Sequence, residues 1–173
     1  MGNRRFSRYV TTALAMFAVV LMLANAAWAS TTKVVYSFAG DEDGEYPSTE
    51  LVRDAAGNLY GTTVLGGDHG SGTVFELTPS GNGWTHTVLY SFSSGADGGQ
   101  PYGGVTLDAQ GNLYGTTVIG GTGGTCVEDG CGVVYELTNS GGIWTESVIH
   151  NFTGGSDGYD PGAGLTLGAG SFF

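Results

Sequence analysis

The chain has 173 residues, 33 of them glycine, and sets five basic side chains against 16 acidic ones for a formal charge of −11. Such an acidic chain is repelled by phosphate, which excludes nucleic acid and anionic membrane surfaces as partners. The glycines recur at turn positions within a repeated pattern, so disorder is a poor explanation of them.

The first predicted element is a targeting segment. Arg4, Arg5 and Arg8 precede an apolar run over residues 10–23, and Ala27-Trp28-Ala29 puts small residues at the outer positions of a cleavage site. This predicts a signal-peptide helix over residues 1–29, cleaved before Ser30, and export to the periplasm or the extracellular space. An uncleaved anchor is the alternative, but the run is short against the roughly 20 residues a membrane span needs. After cleavage only Lys33 and Arg53 face the 16 acids, a net charge of −14.

The remainder, residues 30–173, is repetitive. Gly57-Asn58-Leu59-Tyr60-Gly61-Thr62-Thr63-Val64 returns unchanged 54 positions later as Gly111-Asn112-Leu113-Tyr114-Gly115-Thr116-Thr117-Val118. Tyr36-Ser37-Phe38 returns as Tyr90-Ser91-Phe92 and again as His150-Asn151-Phe152. A period of this size means stacked supersecondary units. The units run over about 47–100 and 101–160, with a partial third at 161–173.

Each unit holds four stretches of strand character between Gly, Pro, Asn and Asp clusters. They fall at 50–53, 58–64, 72–78 and 84–92, then at 104–108, 112–118, 132–138 and 144–152, with a leading strand at 33–38 and a trailing one at 164–167. Val88, Tyr90 and Phe92 alternate on one face, as a half-buried antiparallel strand requires. In the turns Asp54-x-x-Gly57-Asn58 and Asp108-x-x-Gly111-Asn112, Asp accepts backbone amides and Gly takes positive φ. The fold class expected is all-β: an incomplete β-propeller of four-stranded antiparallel blades, two complete, after the signal-peptide helix. A β-solenoid or open meander is the alternative. Two blades close no ring, so either the chain is a truncated member of a longer family, the favoured reading, or several chains complete one assembly; open edges would invite self-association.

These units resemble the GloVer tandem repeat of exported bacterial proteins. The likeness rests on Asp54-x-x-Gly57-Asn58-Leu59-Tyr60-Gly61-Thr62-Thr63, on Gly72-Thr73-Val74-Phe75-Glu76-Leu77-Thr78-Pro79, and on Trp84-Thr85 followed by Tyr90-Ser91-Phe92. It covers nearly all of residues 33–167. What the resemblance implies is secretion and a propeller-like repeat scaffold; it implies no reaction.

Chemistry is expected in the loops. In a four-stranded blade the loops 39–47, 65–71, 93–101, 119–131 and 153–161 emerge together, and they hold ten of the 16 acids. Phe-x4-Asp-Gly-x2-Pro occurs three times there, at Asp43, Asp97 and Asp157. The pattern reads first as a turn, Asp-Gly making the bend and Pro stiffening its exit. Calcium is the cofactor such oxygen ligands would take, with Asp41 beside Asp43, Asp97, and Asp157 with Asp160 as its ligands. Asp68, His69, Glu128 and Asp129 are the candidate ligand face. Cys126 and Cys131 are expected to close a disulfide in an oxidising compartment.

Isolated residues point to structure. His86 is read as solvent-facing, because Glu146 takes its place in the next unit; His150, in the place of Tyr90, is read as packed or partly buried. Trp84 and Trp144 read as anchors. No nucleophile–base motif occurs. The expected function is a non-catalytic exported module that binds an unknown extracellular ligand or partner protein. The alternatives are a polysaccharide lyase or hydrolase that draws His69 and loop acids into one cleft, and a truncated product with no function of its own.

Overall fold

The structure, a computed structural model, describes residues 32–126 and 129–168; the expected signal peptide (1–29), Glu128 and residues 169–173 lie outside them. From Val35 onward the described residues form one compact unit, and those before it group separately. Among the described residues no helix is long and apolar enough to cross a membrane.

Every residue of the duplicated block has a local task. Asp54 accepts the Asn58 backbone N–H at 2.8 Å and its side-chain N–H at 2.9 Å, while Gly57 turns the chain at φ 96°. Asp108, Gly111 and Asn112 build the same turn with the same two distances. Positive φ favours glycine there because a Cβ would crowd the next carbonyl. The Tyr60 hydroxyl then sits between Asp54 (3.1 Å) and Glu76 (2.9 Å), tying the turn to the neighbouring strand, as Tyr114 does with Asp108 and Glu136. Gly61 leaves space for a ring: a Cβ there would meet Phe75 at 2.8 Å. Thr63 and Thr73 share a buried hydroxyl contact of 2.8 Å across the strand pair.

The result is two four-stranded antiparallel sheets. The first contains β1 (Val52–Arg53), β2 (Leu59–Thr63), β3 (Thr73–Ser80) and β4 (Gly83–Ser91), bonded in that order. The second contains β5 (Val105–Leu107), β6 (Leu113–Thr117), β7 (Val133–Ser140) and β8 (Ile143–Asn151), in the equivalent order. Register is the same in both: Leu59 faces Leu77, and Leu113 faces Leu137. A slip of one residue would turn Leu77, Leu113 and Leu137 out of the core. Both β4 and β8 carry a bulge, since Tyr90 faces Val74 while Val88 faces the very next residue, Phe75. The alternation expected through Phe92 therefore stops at Val88, and Leu89 and Tyr90 are both half-buried.

The sheets pack through β1 and β2 on β5 and through β4 on β8. Phe92 meets Tyr135 at 4.9 Å between ring centres, and Tyr60 meets Trp144 at 6.3 Å. Val74, Leu113, Val133 and Leu137 complete a core that spans both sheets. Burying each such aliphatic side chain contributes about 1.5–3 kcal/mol.

The flanking strands are corrections. Residues 35–38 carry no strand, because no described neighbour offers them a ladder; Tyr36 stacks on His86 at 4.6 Å and Phe38 meets Phe75 at 5.0 Å. Of the trailing stretch 164–167, only Leu167 forms a bridge, and the Thr106 hydroxyl holds the Leu165 carbonyl.

Candidate functional site

Three connectors of the form Asp-Gly-x-x-Pro lead into β1, into β5 and into residues 161–167. In each, the residue before proline is left-handed: Tyr46 at φ 57°, Gln100 at 54° and Asp160 at 49°. A residue before proline ordinarily prefers extended backbone, and the left-handed form costs an L-residue roughly 1–2 kcal/mol. Tertiary hydrogen bonds offset that cost. The Tyr46 and Gln100 carbonyls accept the Val64 and Val118 N–H groups at 3.2 and 3.3 Å. The Gln100 and Asp160 N–H groups donate to the Ser71 and Cys131 carbonyls at 2.8 and 3.1 Å. The backbone is thus held by its own atoms, and the side chains are left for the surface.

Between successive connectors lie two open cavities. One, of about 420 Å³, is lined by Tyr46, Ser48, Val64, Leu65, Gln100 and Tyr102. The other, of about 660 Å³, has Gln100, Val118, Ile119 and Asp160 in the equivalent places, together with Tyr159, Thr125, Cys126 and Asp129. Val64-Leu65 and Val118-Ile119 are the same positions of the two repeats and give each cavity an apolar lining. Gln100 belongs to both.

The second cavity is shaped by a crosslink. Cys126 and Cys131 are joined, with sulfurs 2.00 Å apart, and Gly124 and Gly154 approach them so closely that a Cβ on either would lie 2.9 Å from sulfur.

The repeated aspartates are used inside their own turns. Asp43 accepts the Tyr36 hydroxyl and the Ala39 N–H, both at 2.6 Å. Asp97 accepts from Tyr90 at 3.0 Å and from the Ser93 N–H at 2.8 Å; Asp157 accepts the Thr153 N–H at 3.0 Å. Burial works against the Asp43 charge, but its hydrogen bonds from Tyr36 and Ala39, with His86 beside it, hold the carboxyl below its ordinary range. Hydrogen bonding from Thr153 does the same for Asp157. Asp41 is left-handed, at φ 52°, and its carbonyl accepts the Gly67 N–H at 2.8 Å. Among the described residues no three of His, Cys, Asp and Glu converge closely enough to hold a metal ion. Asp68 and His69 are exposed on the β2–β3 loop and line neither cavity, whereas Asp129 and Asp160 meet at the larger one.

Of the two strand histidines, His86 differs from expectation. The side chain of His86 is only 8% exposed: its face of β4 packs under Tyr36 and Phe38, and Nδ1 stands 3.1 Å from Asp43. Burial lowers its pKa further than Asp43 raises it, so the ring is neutral at neutral pH and donates from Nδ1, leaving Nε2 without a partner. His150 is partly packed, as expected: its ring meets Phe152 edge-on at 4.8 Å, and its side chain is 48% exposed and 3.4 Å from Asp157. The larger omission in the sequence reading was Tyr46, Gln100, Tyr102 and Tyr159. One signal pointed to them: each connector carries a tyrosine within two residues of its proline.

A family model described as the Gloeobacter/Verrucomicrobia repeat matches residues 20–173. No curated protein and no solved structure matches the chain.

Proposed function

Because the chain belongs to the Gloeobacter/Verrucomicrobia repeat family, we propose that it is an exported, non-catalytic binding module on a propeller-type scaffold. The sheets are its blades, and the connectors together form its binding face. Export is supported by the basic start, the apolar run and the Ala27-Trp28-Ala29 site, and by a disulfide suited to an oxidising compartment.

One observation carries the binding role. At three equivalent left-handed positions the backbone asks only for a carbonyl and an N–H, yet the side chains there are Tyr, Gln and Asp and open onto cavities. Glycine would meet the backbone's need at lower cost. The test is sedimentation of the labelled, exported chain with envelope and matrix fractions of its source cells. Retention in those fractions, reduced by substitution of Gln100, is the expected result; a chain that stays in the supernatant would end the proposal.

A further inference from the structure

We propose that the connector groove binds a neutral polysaccharide, its two cavities serving as equivalent subsites that share Gln100. The inference rests on the binding-module reading above and adds the ligand class.

The lining matches the two surfaces of a sugar ring. Tyr46, Tyr102 and Tyr159 are 67%, 47% and 65% exposed at the lips, where an aromatic face covers the C–H face of a pyranose. Below them the linings are aliphatic, Val64-Leu65 in one cavity and Val118-Ile119 in the other. Gln100 lines both cavities, and its amide carries donors and an acceptor, which suits hydroxyls that themselves donate and accept.

Charge separates the classes of polymer. Asp129 and Asp160 on the larger cavity, in a chain of net charge −11, repel an anionic polysaccharide. The smaller cavity has no charged lining, so a cationic polymer gains nothing there. What the two cavities have in common is uncharged. Their equivalence, with one side chain serving both, fits a ligand of repeating units.

The test is affinity electrophoresis of the full chain, purified after export, through gels containing mixed-linkage β-glucan, galactomannan, alginate or chitosan. Retardation by at least one of the two neutral polymers and none by alginate is expected. Gln100→Gly relaxes the backbone at φ 54°, so this variant melts at or above the wild-type temperature. Its affinity falls about tenfold, the effect of removing one well-placed hydrogen-bonding group. Tyr159→Ala weakens binding without a change in melting temperature. Retardation by alginate or chitosan alone, by neither neutral polymer, or equally in Gln100→Gly overturns the proposal. If the chain still sediments with envelope fractions but ignores both neutral polymers, the ligand class falls and the binding module stands; if it does neither, both fall.

Discussion

Nδ1 of His86 lies 3.1 Å from Oδ1 of Asp43, and the equivalent places in the next repeat hold Glu146 and Asp97. The first contact joins a donor to an acceptor; the second brings two carboxyl groups together. Burial, reinforced by the Asp97 charge, pushes the Glu146 carboxyl up to about 7 from 4.5, and its Oε1 has no partner. The folded chain therefore holds a proton there more tightly than the unfolded chain does. That contribution to stability is complete below pH 4.5 and is lost as pH rises through about 7. Glu146→Gln abolishes the loss. Calorimetry should show the variant gaining on wild type between about pH 5 and pH 8, and a constant difference would refute the assignment.

The opposite sign applies to His86. Its pKa is lowered from 6.5 by burial, with Asp43 only partly opposing, so the unfolded chain binds the proton better. Stability is therefore lost as pH falls below 6.5. Glu146→His transplants the His86–Asp43 arrangement onto Asp97. It should raise the melting temperature at about pH 8 and add a second acid-sensitive step. An unchanged melting temperature at high pH would show that Glu146 and Asp97 do not oppose each other.

Asp54 and Asp108 hold the two turns that begin β2 and β6. Burial works against the Asp54 charge, but bonds from Asn58, Tyr60 and Gly57 outweigh it, and the carboxyl lies below its ordinary value; Asp108 behaves alike. Depressed acids contribute stability that is lost as pH falls through their folded values. Asp54→Ala strands the backbone and side-chain N–H groups of Asn58 while the Tyr60 hydroxyl keeps Glu76, at a cost of about 1–3 kcal/mol. Asp108→Ala should cost at least as much, because the three shared bonds match to about 0.1 Å and Asp108 also accepts the Gln110 N–H at 2.8 Å. Urea titration of both variants measures this, and a clearly smaller cost for Asp108→Ala would mean the repeats are not energetically alike.

These contacts explain how far the sequence could be read. All eight strands within the two units were legible because Asp54, Gly57, Asn58 and their copies determine each turn locally, and the leucines then set the register. His86 was misread for a physical reason: a polar residue whose counterpart is also polar suggests solvent, but both positions face a neighbouring layer. Tyr46, Gln100 and Asp160 were hidden because X-Pro reads as extended backbone. Their left-handed form comes from partners distant in sequence, such as Val64, Ser71, Val118 and Cys131. The bulges at Leu89 and Ile149 have no marker residue and arise from sheet packing.

The paired threonines fasten each sheet to the connector that follows it. Thr62 donates to the Pro101 carbonyl at 2.9 Å and Thr116 to the Ala163 carbonyl at 2.9 Å. Valine keeps the shape and removes the donor, leaving a carbonyl unpaired at about 1–3 kcal/mol per site. Because the sites are in different sheets, Thr62→Val and Thr116→Val should add within about 0.5 kcal/mol. Denaturant unfolding of the double variant checks both claims, and a stability equal to wild type would remove the fastening role.

Cys126 and Cys131 are five residues apart, so their bond restrains little of the unfolded chain, and chain entropy assigns it about 2 kcal/mol. Its larger effect is local. The Gly120 N–H reaches the Asp129 carbonyl at 2.6 Å and the Thr125 N–H reaches the Thr153 carbonyl at 2.8 Å, and both bonds depend on the closed loop. Replacing both cysteines by serine should therefore leave β2, β3 and β4 protected while the amides of Gly120 and Thr125 exchange faster. Iodoacetamide should label neither cysteine until the protein is reduced, and both afterwards. Hydrogen exchange read residue by residue decides the matter, because acceleration spread evenly over both sheets would make the crosslink a global staple instead of a brace for the cavity wall.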